Sequence, residues 1–149
     1  MKAIIFCGLQ ATGKSSFYRE YFFRTHVRIN LDMLETRHRE RLLLGACLEG
    51  QQRFVVDNTN PTRRDRARYV EPARAAGFRV MGYYFPSRVQ DALRRNWTRP
   101  GGERVPVPGI LRTAKVLEVP ALDEGFDELY YVSIGETGKF IIREWADAP

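Results

Sequence analysis

Apolar residues fall along this chain in two rhythms. Short, nearly unbroken apolar runs alternate with longer stretches where apolar residues recur every third or fourth position. The runs read as strands buried on both faces, and the stretches as amphipathic helices. Lys2-Ala3-Ile4-Ile5-Phe6-Cys7 predicts a first strand, and Ser15 to about Arg24 a helix whose buried stripe holds Phe17, Tyr21 and Phe22. Val27-Arg28-Ile29-Asn30 predicts a short second strand. Met33 to Glu49 reads as one helix, with Leu34, Arg37, Arg41, Leu44 and Leu48 spaced by threes and fours, ending at Gly50. Arg53 to Asp57 predicts a third strand that ends in an acid.

Asn58 to Thr62 is turn-rich and leads into a helix from Arg63 to Ala76, closed by Gly77. Pro72 lies inside that helix and is expected to kink or divide it. Phe78 to Phe85 predicts a fourth strand, followed by a helix capped by Ser87 and running to about Asn96. Thr98 to Val107, rich in Gly, Pro and Arg, reads as a mobile loop, and Pro108 to about Leu117 as a further helix. Leu129 to Ile134 predicts a fifth strand, and Gly135 to Trp145 has room for a turn and an edge strand.

Strands alternating with helices imply an α/β fold: one domain over residues 1–149, with a mostly parallel five-stranded sheet covered by helices on both faces. In such sheets ligands bind at the carboxyl ends of the strands. That rule gathers Gly8–Ser15, Asp32 and Asp57–Asn60 on one edge, although they are distant in sequence.

The junction of the first strand and helix carries chemistry. Gly8-Leu9-Gln10-Ala11-Thr12-Gly13-Lys14-Ser15 fits the pattern G-x-x-x-x-G-K-[ST] of a phosphate-binding loop. Gly8 ends the strand in a turn that a side chain would obstruct, and Gly13 lets the backbone close around an anion. The N–H groups from Gln10 to Ser15 can then face a polyphosphate, with the positive end of the next helix behind them. Lys14 is placed to reach the β- and γ-phosphates and Ser15 to ligate Mg²⁺, so the motif predicts binding of a nucleoside triphosphate such as ATP.

Three further groups have two readings each. Asp57 stands where an acid would hold Mg²⁺, directly or through water, and it also begins an Asp-Asn-Thr turn. Asp32 is placed to accept a proton from an alcohol acceptor, and it also suits the N-cap of the helix at Met33. Arg94, Arg95, Arg99 and Arg104 flank or lie within the Thr98–Val107 loop. They could close as a lid over a triphosphate or simply form a solvated basic helix end.

Composition narrows the setting. The chain has 149 residues, 44% hydrophobic and 28% charged, with a formal net charge of +6. These values suit one globular domain. No apolar run approaches the length of a membrane span, and the first apolar run passes directly into the phosphate loop, so neither a span nor a signal peptide is expected. Cys7 and Cys47 read as buried reduced thiols, which suits a cytoplasmic protein. Arginine supplies twenty of the twenty-four basic residues. Arginine favours bidentate phosphate contacts, which gives nucleic acid a modest lift.

Val56-Asp57-Asn58-Thr59-Asn60-Pro61 resembles the signature of the polynucleotide 5′-hydroxyl kinase family, whose members occur in phage, animals and bacterial RNA-repair systems. Gly8–Ser15 is similar to that family's phosphate loop, and Ile29-Asn30-Leu31-Asp32 to its I/V-N-R-D segment. Tyr69-Val70 to Ala76-Gly77 resembles the following helix, and Arg95-Asn96-Trp97-Thr98-Arg99 matches the R-N-x-x-R lid of the phage enzyme. Val105 to Arg112 and Pro120 to Phe126 resemble later segments, so the likeness covers nearly the whole chain.

The resemblance implies a P-loop kinase fold with an Arg-bearing lid, and transfer of the γ-phosphate of ATP to the 5′-OH end of DNA or RNA. By it, Lys14, Asp32, Arg95 and Arg99 would be catalytic, with Asp32 the general base. Gly8, Gln10, Ala11, Thr12, Gly13, Lys14, Ser15, Ser16, Arg95 and Arg99 would contact nucleotide, and Ser15 and Asp57 would hold Mg²⁺. The partners implied are nucleic-acid 5′-OH ends, with phosphatase or ligase functions on separate proteins.

One departure from the pattern bears on the acceptor. Leu31 stands where the family has Arg just before the base, and Glu35 where the phage enzyme has a substrate-phosphate Arg. Arg28, Arg37, Arg63 and Arg64 are then the candidates for recognising the acceptor end. Two other functions fit the same loop: a kinase for a nucleoside, sugar or sugar-nucleotide, and a nucleotide-binding module with little catalysis.

Overall fold

The computed structural model describes residues 1–86 and 88–145; Ser87, the expected cap, and residues 146–149 lie outside the described residues. Strand β1 (Lys2–Gly8) runs into helix α1 (Lys14–Tyr21), then β2 (Val27–Ile29), a one-turn helix α2 (Leu31–Leu34), α3 (Arg37–Glu49) and β3 (Phe54–Val56). Helix α4 (Arg63–Ala75), β4 (Arg79–Phe85), α5 (Val89–Thr98), α6 (Val107–Val116), β5 (Glu128–Ile134) and β6 (Phe140–Glu144) complete the chain.

The expected five-stranded sheet has six strands, in the order β2-β3-β1-β4-β5-β6. The first five pair in parallel, and β6 returns antiparallel along β5 as the edge. A tight turn, in which Gly138 takes φ +80°, makes this hairpin possible. Chain order reverses direction across the sheet at β1, so the loop after β1 opens at a topological switch point.

Alternation along β1 builds the two layers. Ala3 and Ile5 pack with Leu44 and Cys47 of α3 and with Tyr69, Val70 and Ala73 of α4. Ile4 and Phe6 face the other way, onto Phe17 and Tyr18 of α1. Phe6 and Phe17 lie 5.7 Å apart between ring centres. Helices therefore cover both faces, as the apolar runs imply.

Several boundaries differ from the sequence reading. Met33–Glu49 is not one helix. Glu35 takes φ +71°, and Thr36 then caps α3 by accepting from the Arg39 N–H at 3.1 Å. A β-branched hydroxyl residue is a better N-cap than helix interior, which explains the break. Pro72 does not divide α4; it lies in the C-terminal half of a continuous helix. The carbonyl four residues earlier, deprived of its donor, belongs to Arg68, an exposed residue. The Thr98–Val107 segment is more ordered than a loop: α5 reaches Thr98 and a 3₁₀ turn occupies Gly101–Glu103.

Both cysteines are buried and unpaired by disulfide. Burial pushes the Cys7 thiol up to about 11, against the lowering effect of Arg66 and Lys14, so it is held protonated. Among the described residues no helix is long and apolar enough to cross a membrane.

Candidate active site

The loop between β1 and α1 is shaped by backbone chemistry. Gly8 packs so closely on β4 that a Cβ there would stand 2.8 Å from the Phe85 carbonyl oxygen. Ala11 and Gly13 take φ +62° and +94°, turning successive N–H groups toward one side. The Thr12 hydroxyl donates to the Leu9 carbonyl at 2.8 Å and stiffens the turn. Gln10 donates through Nε2 to the Thr113 hydroxyl at 3.0 Å, tying the loop to α6.

Lys14 lies folded along this loop. Its Nζ donates to the Gly8 carbonyl at 3.1 Å and to the Leu9 carbonyl. Burial lowers its pKa to about 8, the dominant effect, while Asp57 pulls it back upward. The ammonium is thus ready to exchange carbonyl partners for an anion.

Ser15 opens α1 and faces the end of β3. Its hydroxyl donates to Asp57 Oδ2 at 3.0 Å, and Asp57 is only 2% exposed. Arg28, reaching over from β2, donates through Nε to the same Asp57 oxygen at 2.9 Å and through Nη2 to the Ser15 hydroxyl at 3.0 Å. A hydroxyl and a carboxylate, both hard oxygen donors and already touched by one cation, fit a divalent ion such as Mg²⁺. No group of three or more His, Cys, Asp or Glu residues suited to a metal occurs among the described residues. Such an ion would rest on these two side chains, water and bound phosphate oxygens.

Two asparagines fix the segment that bears Asp32, directly after β2. Asn30 caps α2: its Oδ1 accepts from the Met33 N–H at 2.9 Å, while its Nδ2 donates to the Asp57 carbonyl at 2.6 Å. The capping role considered for Asp32 therefore belongs to Asn30, and the Asp32 carboxylate is free of that duty. Asn58 accepts from the Leu31 N–H at 2.8 Å and donates to Glu40 Oε2 and the Tyr69 hydroxyl at 3.2 Å each. Glu40, 1% exposed, also accepts from Arg37 at 2.8 Å and from Tyr69 at 2.9 Å. One buried carboxylate thus anchors the turn after β3, helix α3 and the segment that bears Asp32.

These groups surround a cavity of about 410 Å³. Gln10, Ala11, Lys14, Ser15, Asp32, Asp57 and Arg99 all line it, together with Arg37, Asn58 and Val105. Gly8, Thr12 and Gly13 form the loop's own framework and are not in that lining. Ser16 is exposed and accepts from Arg19 at 3.2 Å, away from the cavity wall. Arg95 is half-buried on α5 and is likewise not in the lining.

Arg99 reaches the cavity because its loop is strapped. Asn96, 4% exposed, donates to the Val105 carbonyl at 2.7 Å and accepts from the Val105 N–H at 2.8 Å. Arg104 lies 4.4 Å over the Trp97 ring and donates to the Arg99 carbonyl at 2.9 Å.

Sequence reasoning missed the structural parts of Asn30, Asn58, Glu40 and Tyr69. The asparagines lay within motifs already singled out. Glu40 had no such signal, since a glutamate inside an Arg-rich helix reads as solvent-facing. Arg28 and Arg37 had been considered only for the acceptor end.

A phosphate loop at the switch point with its Lys and Ser, an Asp at the end of β3 bonded to that Ser, and an arginine just past α5 in the same cavity define a P-loop kinase-like domain. The profile of the family described as "AAA domain" (AAA_33) matches residues 4–117. The chain belongs to that family.

Solved structures share the fold. Kti12 of Chaetomium thermophilum, solved with ADP-AlF3, superposes with a TM-score of 0.71 at 14% identity, over 91% of this chain and 92% of that one. A gluconokinase from Sinorhizobium meliloti 1021 gives 0.65 at 18% identity, over 91% and 83%. An AvrRxo1-ORF1:-ORF2 structure with ATP gives 0.71 at 13% identity over 95% of this chain, which spans only 57% of the matched one.

Proposed function

We propose that the protein is an ATP-dependent polynucleotide 5′-hydroxyl kinase. The observation that carries the reading is the sharing of one cavity by Lys14, Ser15, Asp57, Arg99 and Asp32. In this reading the loop amides and Lys14 hold the triphosphate, and Mg²⁺ at Ser15 and Asp57 supplies charge neutralisation when bound. Asp32 accepts the proton of the 5′-hydroxyl as that oxygen attacks the γ-phosphorus. The bond from γ-phosphorus to the β,γ-bridging oxygen breaks, and ADP leaves. Arg99 balances charge on the transferred group.

For the acceptor's own phosphates, Arg37 is the best placed of the four arginines considered. It lines the same cavity as Asp32 while its Nη1 pairs with Glu40 at 2.8 Å, whereas Arg28, Arg63 and Arg64 are not in that lining. The net charge of +6, with arginine supplying twenty of the twenty-four basic residues, supports a polyanionic acceptor.

A small-molecule acceptor is the second reading, favoured by a cavity volume in the range of small-ligand sites. A panel of 5′-OH DNA, 5′-OH RNA, nucleosides and sugars, incubated with γ-labelled ATP and Mg²⁺, separates the readings. Label on oligonucleotide 5′ ends is the expected result. Label only on nucleosides or sugars moves the assignment to the second reading. ATP binding with no label on any acceptor leaves a non-catalytic module.

A further inference from the structure

The contacts of Arg28 exceed what a strand residue needs for folding. Its guanidinium closes a three-membered ring with the Ser15 hydroxyl and Asp57 Oδ2, each link between 2.9 and 3.0 Å. The two groups it holds are the same two that would receive the divalent ion. Asp57 is nearly inaccessible, with its side chain 2% exposed, and one oxygen of its carboxylate carries both the guanidinium and the hydroxyl contact. The Arg28 side chain is 28% exposed, so it borders solvent, and in this same position its guanidinium carbon lies 5.9 Å from the centre of the Tyr18 ring.

We propose that Arg28 is the resident cation of the metal site, so that a divalent ion and the Arg28 guanidinium occupy the Ser15–Asp57 pair alternately. The proposal rests on the assignment of Ser15 and Asp57 as the ion's ligands. Two cations cannot share one Asp57 oxygen and one Ser15 oxygen at contact distance without strong repulsion. The ion therefore meets a competitor in the nucleotide-free protein. It gains the site when polyphosphate oxygens add to its ligands, and the partly exposed Arg28 then moves out toward solvent. Metal binding becomes dependent on nucleotide, and Arg28 is the residue that makes it so.

The test measures Mn²⁺ binding by electron paramagnetic resonance, with no acceptor present, in wild type, Arg28→Met and Arg28→Gln. Arg28→Gln keeps a hydrogen-bond donor without the charge, and so still reports should the Met variant fail to fold. Nucleotide-free wild type should bind Mn²⁺ weakly. The uncharged variants should bind it about tenfold or more tightly, the extent to which a neighbouring cation shifts a carboxylate's affinity for a proton. With ATP present the difference should shrink. Thermal melting provides a second readout. The variants should be destabilised in EDTA and recover as Mg²⁺ is added, while the wild-type Tm stays nearly flat. Equal Mn²⁺ affinity in nucleotide-free wild type and both variants overturns the proposal. Absence of Mn²⁺ binding in every protein, with ATP included, overturns the ligand assignment beneath it. Mn²⁺ binding by wild type with ATP but unchanged variants leaves the ligands standing and removes only the role of Arg28.

Discussion

Asn58 holds Leu31 by its backbone: the Leu31 N–H donates to Asn58 Oδ1 across 2.8 Å. This bond joins the turn after β3 to the residue just before Asp32, and the other end of Asn58 rests on buried Glu40 and on Tyr69. Replacing Asn58 with Leu would orphan the Leu31 N–H and remove one donor from Glu40. The expected loss is about 1–3 kcal/mol of stability, read from urea denaturation. A greater fractional loss in kcat than in ATP affinity should accompany it, because the displaced segment carries Asp32, the proposed base, and not the phosphate loop.

Asp32→Asn tests the base itself. The amide keeps the shape but cannot take a proton, so phosphoryl transfer should fall about 10²–10⁴-fold. ATP affinity, measured by calorimetry, should be unchanged within a factor of about two, since Lys14 and the loop amides are untouched. Undiminished transfer would remove Asp32 from its role.

Lys14 makes ATP binding depend on pH. With its pKa lowered to about 8 by burial, the free protein loses this charge above that pH. A bound polyphosphate favours the ammonium and raises the pKa, so binding takes up a proton in the window above 8. Affinity should be level below pH 8 and then weaken, by up to about tenfold per pH unit. Calorimetry at pH 8.5 in buffers of different ionisation enthalpy should detect the proton uptake, and Lys14→Ala should abolish it.

Arg66 and Glu124 form a buried pair at 2.7 Å, with side chains 0% and 5% exposed. Arg66→Met leaves Glu124 with the Ala121 N–H at 2.9 Å and, for positive charge, Arg63 at 3.8 Å and partly solvated. A loss of about 3–5 kcal/mol is expected in chemical denaturation. Adding Glu124→Leu should restore much of it, because the uncompensated charge is then gone.

The strap between Asn96 and Val105 governs where Arg99 sits. Arg99→Ala should lower kcat about 10²–10³-fold if its guanidinium faces the transferred phosphoryl. Asn96→Ala keeps the Arg99 side chain but releases the segment that positions it, so transfer should weaken and the KM for ATP should rise. Steady-state kinetics on the two variants separates contact from positioning.

Much of this was legible in the residue order. The β1 run followed by G-x-x-x-x-G-K-S specified strand, phosphate loop and helix, because strand burial and anion binding each constrain residue type at fixed spacing. Asp57 and Asp32 could be placed on one edge from the carboxyl-end rule alone. The break at Glu35 and Thr36 was not legible, because the apolar spacing of Leu34, Leu44 and Leu48 runs across it and only the cap geometry reveals the turn. The order of Thr98–Val107 was hidden as well. Its anchor is a single asparagine amide whose partner, Val105, lies within a run rich in glycine, proline and arginine.

By itself the sequence determined the α/β layering, the phosphate loop and the edge on which acids collect, since hydrophobic period and glycine placement act locally along the chain. Tertiary structure alone decided that Arg28 meets Ser15 and Asp57, that Glu40 is buried beneath Arg37, Asn58 and Tyr69, and that Arg99 enters the cavity while Arg95 lies outside its lining. Those partners are distant in sequence, and a charged side chain reads as solvent-facing until the packing of β2 on β3, and of α3 on the sheet, brings its counter-charge within hydrogen-bond distance.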